Sequence, residues 1–265
     1  MSRCGAGSAI PCNRGTSTRS REERARALHH AVQALVCEIL EPWEHGTIVR
    51  ATDFPSYFDF NTVRVESDPG MTIAELIAFA DEALAPLPHR RIDFEDSAAA
   101  EPLRPGFEAR GWLSERLVWM LLEEPPPDAP DIPVEEVPYG DVHDLRVAWH
   151  FEDFPTLDPS DYLVQAARVA ERVGSRVFTV REQNTPVAYA QLDRIGDAAE
   201  VAQVFVRADR RGRGIGTAIT RAAIAAAAEA QPVWIVADDT GRPKELYRRL
   251  GFRPAWTATE FLRLP

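Results

Sequence analysis

Lysine is almost missing from this chain of 265 residues: Lys244 stands alone among 30 basic residues, and the other basic residues are arginines. Acidic residues outnumber basic ones 41 to 30, for a net charge of −11. That balance removes the broad positive field on which sequence-independent nucleic-acid binding depends, so no nucleic-acid partner is expected. Cysteine is scarce too. Cys4, Cys12 and Cys37 form no even disulfide framework, and their spacing, even with His29 and His30, matches no zinc pattern, so we read them as reduced thiols and expect no metal. No run of about 18 apolar residues occurs, which excludes a membrane-spanning helix, and no membrane partner is expected. The opening stretch MSRCGAGSAIPCNRGTSTRSR lacks the apolar core, about 7–15 residues long, of a secretory signal. Residues 1–19 read as a disordered leader, and the protein as cytoplasmic.

Proline, by contrast, is concentrated. Residues 121–138, LLEEPPPDAPDIPVEEVP, hold six prolines among acids. Proline cannot donate a backbone N–H, so a linker is expected at 123–131, dividing the chain into 20–122 and 132–265. The second stretch reads βααβββαβαβ. It opens with the strand DIPVEEVPY and the helix GDVHDLRVAWHF. A second helix starts at Asp158-Pro159 and stops at Gly174. Three β-branched runs, SRVFTVRE, PVAYAQLDRI and AEVAQVFVRA, read as strands. GTAITRAAIAAAAEA reads as a helix, PVWIVAD as a buried strand, RPKELYRRLG as a short helix and FRPAWTATEFLRL as a closing strand.

The first stretch opens with a helix, SREERARALHHAVQALVCEIL, marked by a Ser20/Glu23 capping box. It continues as ββαβαβ, the order of the last six elements of the second stretch. FEARGWLSERLVWMLL also lies beside LYRRLGFRPAWTATEFLRL, with Gly111-Trp112 on Gly251-Phe252. A weak internal duplication accounts for both observations.

Residues 204–220, VFVRADRRGRGIGTAIT, set three glycines among four arginines between a strand and a helix. A helix start offers unpaired amides and a partial positive charge, and glycine lets a phosphate approach the backbone. Arg211 and Arg213 add charge. The spacing fits neither GxxxxGK[ST] nor GxGxxG. It is V-x-x-x-x-R-x-x-G-x-G from Val206 through Arg211 and Gly214 to Gly216, and here the chain resembles the GCN5-related N-acetyltransferases (GNAT). PKELYRRLGF at 243–252 is similar to that family's LY-x-x-x-GF segment, and the element order of 132–265 is that of one complete domain.

The resemblance implies an α/β (α+β) mixed-sheet GNAT fold, complete in the C-terminal half and partial and degenerate in the N-terminal half, in a tandem arrangement. It implies acetyl-CoA as co-substrate. The turn Arg211, Gly212, Arg213, Gly214, Ile215, Gly216 and Thr217 would bind its pyrophosphate. Val204, Phe205 and Val206 would pair with the pantetheine arm. Tyr247 would protonate the departing thiolate, and Glu200 is the candidate general base. Asp238 and Asp239 are expected to face the cleft. Thr240 stands where many relatives have asparagine. The corresponding turn of the first half, SDPGMTIAE at 67–75, carries two acids and no arginine before its helix, which argues against a pyrophosphate there. The expected activity is N-acetyl transfer to a primary amine of a small molecule, with Glu152, Asp153 and Asp158 suiting a cationic acceptor. A homodimer is compatible with this reading. An acetyl-CoA-binding sensor or scaffold with little turnover is the alternative.

Overall fold

A computed structural model of the chain describes residues 19–127, 132–227 and 230–265. The expected leader (up to residue 18), Cys4, Cys12 and linker residues 128–131 lie outside those residues. Helix α1, Arg21–Val36, begins at Ser20, whose hydroxyl accepts from the Glu23 amide while the Glu23 side chain bonds back to Ser20 N–H. The sequence reading carries this helix to Leu40. Instead the chain turns extended at Cys37 and forms a hairpin of β1 (Ile39–Trp43) and β2 (Gly46–Arg50). Pro42, which has no N–H for a helix ladder, sits inside β1. The N-terminal half continues with β3 (Asn61–Val65), α2 (Ile73–Ala83), β4 (Arg90–Phe94), short helices α3 (Ser97–Ala100) and α4 (Arg104–Glu108), and β5 (Leu113–Leu122).

The C-terminal half follows the expected order. It comprises β6 (Glu135–Val137), α5 (His143–Asp153), α6 (Ser160–Val173), β7 (Arg176–Glu182), β8 (Thr185–Ile195) and β9 (Ala198–Val206). Then come α7 (Ile215–Ala226), β10 (Val233–Asp238), α8 (Arg242–Arg249) and β11 (Phe252–Arg263). Gly174 ends α6 in the left-handed region, with φ 73°.

All strands join one 11-stranded sheet, ordered β1-β2-β3-β4-β11-β5-β10-β9-β8-β7-β6. The two halves exchange strands. β5, from the first half, lies between β10 and β11 of the second, while β11 lies between β4 and β5 of the first. Around the antiparallel β5–β11 pair the halves mirror each other: β3 runs parallel to β4 on one side, and β9 runs parallel to β10 on the other. The swapped strands are also entered alike, each through a left-handed glycine just before it, Gly111 (φ 79°) and Gly251 (φ 97°). At Gly251 a Cβ would fall 2.2 Å from the Glu124 carbonyl oxygen, so glycine is required there for two reasons.

One sheet face is covered by α7 and α8, whose Ile215, Ile219 and Tyr247 pack on Val201, Val233 and Ile235. On the other face Ala25 and Leu28 of α1 close over Trp119, Trp234 and Trp256. Burying side chains of that size stabilises by roughly 1.5–3 kcal/mol each, which ties α1 to strands of both halves.

Candidate active site

Strands β9 and β10 pair only over Ala199–Val201 and Val233–Ile235. Beyond that, residues 202–206 and 236–238 diverge and leave a gap in the sheet. A bulge sharpens the divergence. Gln203 pairs with Gln191 and Val201 with Leu192, so Ala202 is one residue too many on β9. An extra residue bends its strand and breaks the ladder locally.

Buried Arg146 of α5, 2% exposed, holds this region from above. It donates to Gln203 Oε1 at 2.6 Å and Gln191 Oε1 at 2.7 Å. Its guanidinium lies 3.8 Å from the Tyr139 ring centre and 4.7 Å from that of Tyr189. Gln191 in turn donates to Asp193 Oδ1 at 3.0 Å. No sequence signal marked Arg146, because its partners lie 45 and 57 residues away.

After β9 the chain makes the glycine-arginine turn. Gly212 and Gly214 both take positive φ, 78° and 82°, a region costly for any residue with a Cβ. Gly214 is the N-cap of α7 and provides no side-chain cap. The first-turn amides of Ile215, Gly216 and Thr217 therefore have no helical acceptor and offer their N–H groups to an outside anion. At Gly216 a Cβ would lie 3.3 Å from Leu246 and 3.7 Å from Val206, so α7 starts hard against β9 and α8. The arginines are less free than the sequence suggests. Arg210 pairs with Glu182 at 2.8 Å and Arg211 with Glu152 at 2.5 Å, while Arg211 Nε also donates to the Val206 carbonyl at 2.9 Å. Among the described residues Arg213 donates only to the Asp209 carbonyl, at 3.3 Å. The backbone is thus the main anion-binding feature of the turn.

The matching turn of the first half is already closed. Thr72 and Glu75 form a reciprocal capping box at the start of α2, and the Gly70 amide donates to Asp68 at 2.9 Å. Amides satisfied by their own side chains are not available to a phosphate.

On the face opposite α7 lies a cavity of about 640 Å³ whose wall includes Glu200, Ala202, Gln203, Ala237 and Asp238, at the mouth of the β9–β10 gap. Glu200 stands beside Asp193 in register across β8 and β9. Burial, with Asp193 as a neighbouring negative charge, pushes the Glu200 carboxyl up to about 8. Burial also raises Asp193. Asp153, lining the same cavity, is pushed up to about 6 by burial and then by Glu152.

Several expected positions resolve differently. Asp238 reaches the cavity and accepts from the Thr240 amide at 2.7 Å. Asp239 does not, because the strand alternation turns it to the other side, where it pairs with Arg116 at 2.6 Å and Lys244 at 2.7 Å. Glu152 likewise faces Arg211 and not the cavity. Val204 and Val206 pack on the α7 side, and Phe205 packs with Tyr189 on the other. Tyr247 on α8 is 5% exposed, and burial raises its phenol well above the usual range. Among the described residues none bonds to its hydroxyl.

Residues 173–254 match the family model described as the acetyltransferase (GNAT) domain. No curated protein sequence matches the chain significantly. Among solved structures, a functionally unknown conserved protein from Staphylococcus epidermidis is similar at TM-score 0.64 and 16% identity, covering 87% of this chain and 95% of that one. A GCN5-related N-acetyltransferase from Kribbella flavida is similar at TM-score 0.55 and 17% identity, with 92% and 96% covered. Another from Sphaerobacter thermophilus reaches TM-score 0.50 at 17% identity, covering 72% and 67%. At these identities the likeness is one of fold, and it extends over both halves in the first two. The chain thus carries an acetyltransferase domain of the GNAT family at residues 173–254, set in the mixed α/β fold of those neighbours.

Proposed function

We propose that the protein transfers an acetyl group from acetyl-CoA to a primary amine of a small molecule, by direct attack in a ternary complex. The observation that carries this reading is the β9–β10 gap. It meets uncapped amides at the start of α7 on one face and a carboxylate-lined cavity on the other. A thioester and an amine can therefore approach one point from opposite sides, which converts a bimolecular encounter into an oriented one.

The amides of residues 212–217 suit the pyrophosphate, and the edge of Val204–Val206, which β10 leaves unpaired although Arg211 holds the Val206 carbonyl, suits the pantetheine arm. Acetyl-CoA supplies an activated acyl group. An ammonium acceptor must lose a proton before its nitrogen can attack, and Glu200, with a carboxyl near 8, is the base we assign to that proton. As the new C–N bond forms, a strand amide in the gap stabilises the charge on the carbonyl oxygen. The C–S bond then breaks. Tyr247 is the group we assign to protonate the thiolate, so that the products are an N-acetyl amide, free coenzyme A and one proton. The first half is, in this reading, a degenerate copy without a coenzyme site, which its capping box at Thr72 and Glu75 supports.

Thiol release from acetyl-CoA across a panel of amines, with product mass as second readout, tests the proposal. A folded protein that binds acetyl-CoA in calorimetry yet acetylates no amine would instead be a coenzyme-binding protein.

A further inference from the structure

The cavity beside the gap is not confined to the acetyltransferase domain. Its wall includes Tyr57, Phe58, Asp59 and Glu115 from the N-terminal half, facing Asp153 and Tyr162 from the C-terminal half. The two walls meet through rings. Tyr57 lies edge-on to Tyr162 at 5.2 Å, and Phe58 lies edge-on to Phe154 at 6.3 Å. The strand exchange brings this about, since β5 delivers Glu115 to the edge of β10: Asp238 pairs with Leu117, two residues after Glu115. One strand spacing and two residues of rise put Glu115 about 8 Å from Asp238 along the sheet, the length of a short polymethylene chain.

The charges of this cavity are unbalanced. The carboxylates of Glu115, Asp153, Asp161 and Glu200 line it, and none makes a hydrogen bond or ion pair with another described residue. Most arginines of the chain, by contrast, are paired. Arg91 is the one lysine or arginine on the wall among the described residues, and three carboxylates already share it: Asp59 at 2.5 Å, Asp93 at 2.8 Å, and Glu260. Partial burial first, and then Asp238, Asp153 and Asp59 as like charges, hold the Glu115 carboxyl above its usual range against the opposing pull of Arg91. Asp59, Glu115, Asp153 and Asp161 are solvent-exposed on this wall, but like charges gathered without free cations repel one another, and a bound cation relieves that repulsion. Rings beside them add cation–π attraction and cover a polymethylene stem.

We propose that the two halves build one acceptor site, and that the acceptor is an amine whose far end carries a second positive charge, held by Asp59, Glu115 and Asp153 beside the Tyr57, Phe58 and Tyr162 rings. Which end reacts rests on the acetyl-transfer reading; the cation site does not. A single ammonium at Glu200 and Asp193 would leave the far carboxylates unpaired. A neutral tail would leave them so as well, and an anionic tail would be repelled.

The test uses the full chain with spermidine and 1,4-diaminobutane against butylamine, read by thiol release, and with spermidine binding alone by calorimetry. Wild-type protein should favour the two polyamines over butylamine by at least about tenfold in kcat/KM. Glu115→Gln and Asp59→Asn should each shrink that ratio by about tenfold, through KM, and weaken spermidine binding similarly, as expected for loss of one nearby charge. Should Asp59→Asn lower the melting temperature by freeing Arg91, Glu115→Gln decides, because Glu115 has no partner to orphan. Equal kcat/KM for mono- and diamines, or spermidine binding unchanged in Glu115→Gln, overturns the proposal; so does failure of spermidine to bind. Spermidine binding that weakens in Glu115→Gln with no amine acetylated keeps the cation site and removes the acetyl-transfer reading.

Discussion

Arg146 donates to Gln203 at 2.6 Å and so fastens α5 to the residue that follows the extra residue of the β9 bulge. A buried guanidinium with two neutral amide partners is an expensive way to stabilise a fold, because its desolvation cost offsets much of the gain. Its position suggests a different role: holding the bulge, and Asp193 through Gln191, in one arrangement.

Arg146→Met keeps the stem and removes both bonds. The loss should cost about 1–3 kcal/mol of stability in urea unfolding, since the freed glutamine carbonyls line a cavity that water can enter. Turnover per folded molecule should fall at least tenfold. A variant that is less stable yet fully active would make Arg146 a packing residue only.

Gly214→Asp places a side chain at φ 82° and a negative charge beside the free amides of α7. Acetyl-CoA binding, measured by calorimetry, should weaken by at least ~1.4 kcal/mol, or tenfold. Gly214→Ala carries the backbone strain without the charge, so the difference between the two variants isolates the electrostatic part. Unchanged affinity in the aspartate variant would remove the phosphate role from this turn.

Glu200 gives two opposite pH signatures. As a base it acts in the ionised form, so kcat/KM should rise with pH through about 8, and Glu200→Gln should lose that limb. For stability the sign is reversed. The folded protein keeps a proton on Glu200 that the unfolded chain gives up near ~4.3, so stability falls as pH rises between those values and levels off above about 8. Melting temperatures of Glu200→Gln should therefore exceed wild type at pH 8.5 and approach it at pH 4. Parallel melting curves for the two proteins would show that Glu200 ionises normally.

Tyr247→Phe deletes one hydroxyl without disturbing the ring. General acid catalysis is worth roughly 10²–10⁴-fold, and turnover should fall by that order while coenzyme affinity holds. The deficit should shrink at high pH, where the thiolate leaves unprotonated. Because that hydroxyl has no partner among the described residues, a purely structural tyrosine would lose nothing, and full activity would assign it to the core.

A fragment of residues 132–265 lacks β5 and would leave β10 and β11 with an empty place between them. It should fail to show a cooperative melt, and addition of a 19–127 fragment should restore one. A stable, coenzyme-binding fragment would show that the C-terminal half can close its own sheet.

Much of the fold was legible because its signals are local. The Ser20 and Glu23 box, the glycine stop at 174, the β-branched runs and the turn at 211–216 each act over a few residues. The end of α1 was misread because Pro42 is a weaker cue than the apolar spacing before it. What was not legible depends on contacts far apart in sequence. Arg146 reads as an ordinary helix-face charge until α5 lies over β8 and β9. Asp238 and Asp239 are adjacent, and only the register of β10 decides which one meets the cavity. Glu115 and Glu260 pair across the swapped strands, a relationship that no spacing along the chain encodes.

The exchange of β5 and β11 also governs how the protein is made. The first half has its helices and most of its strands by residue 122, yet β4 and β5 have no neighbour between them until residues 252–263 have been synthesised. Its sheet must wait, with an open edge between β4 and β5, while the second half emerges from the ribosome. That interval exposes apolar strands such as Leu117–Leu121 to other nascent chains. That stretch gains its neighbours on both sides only once β10 and β11 have been made.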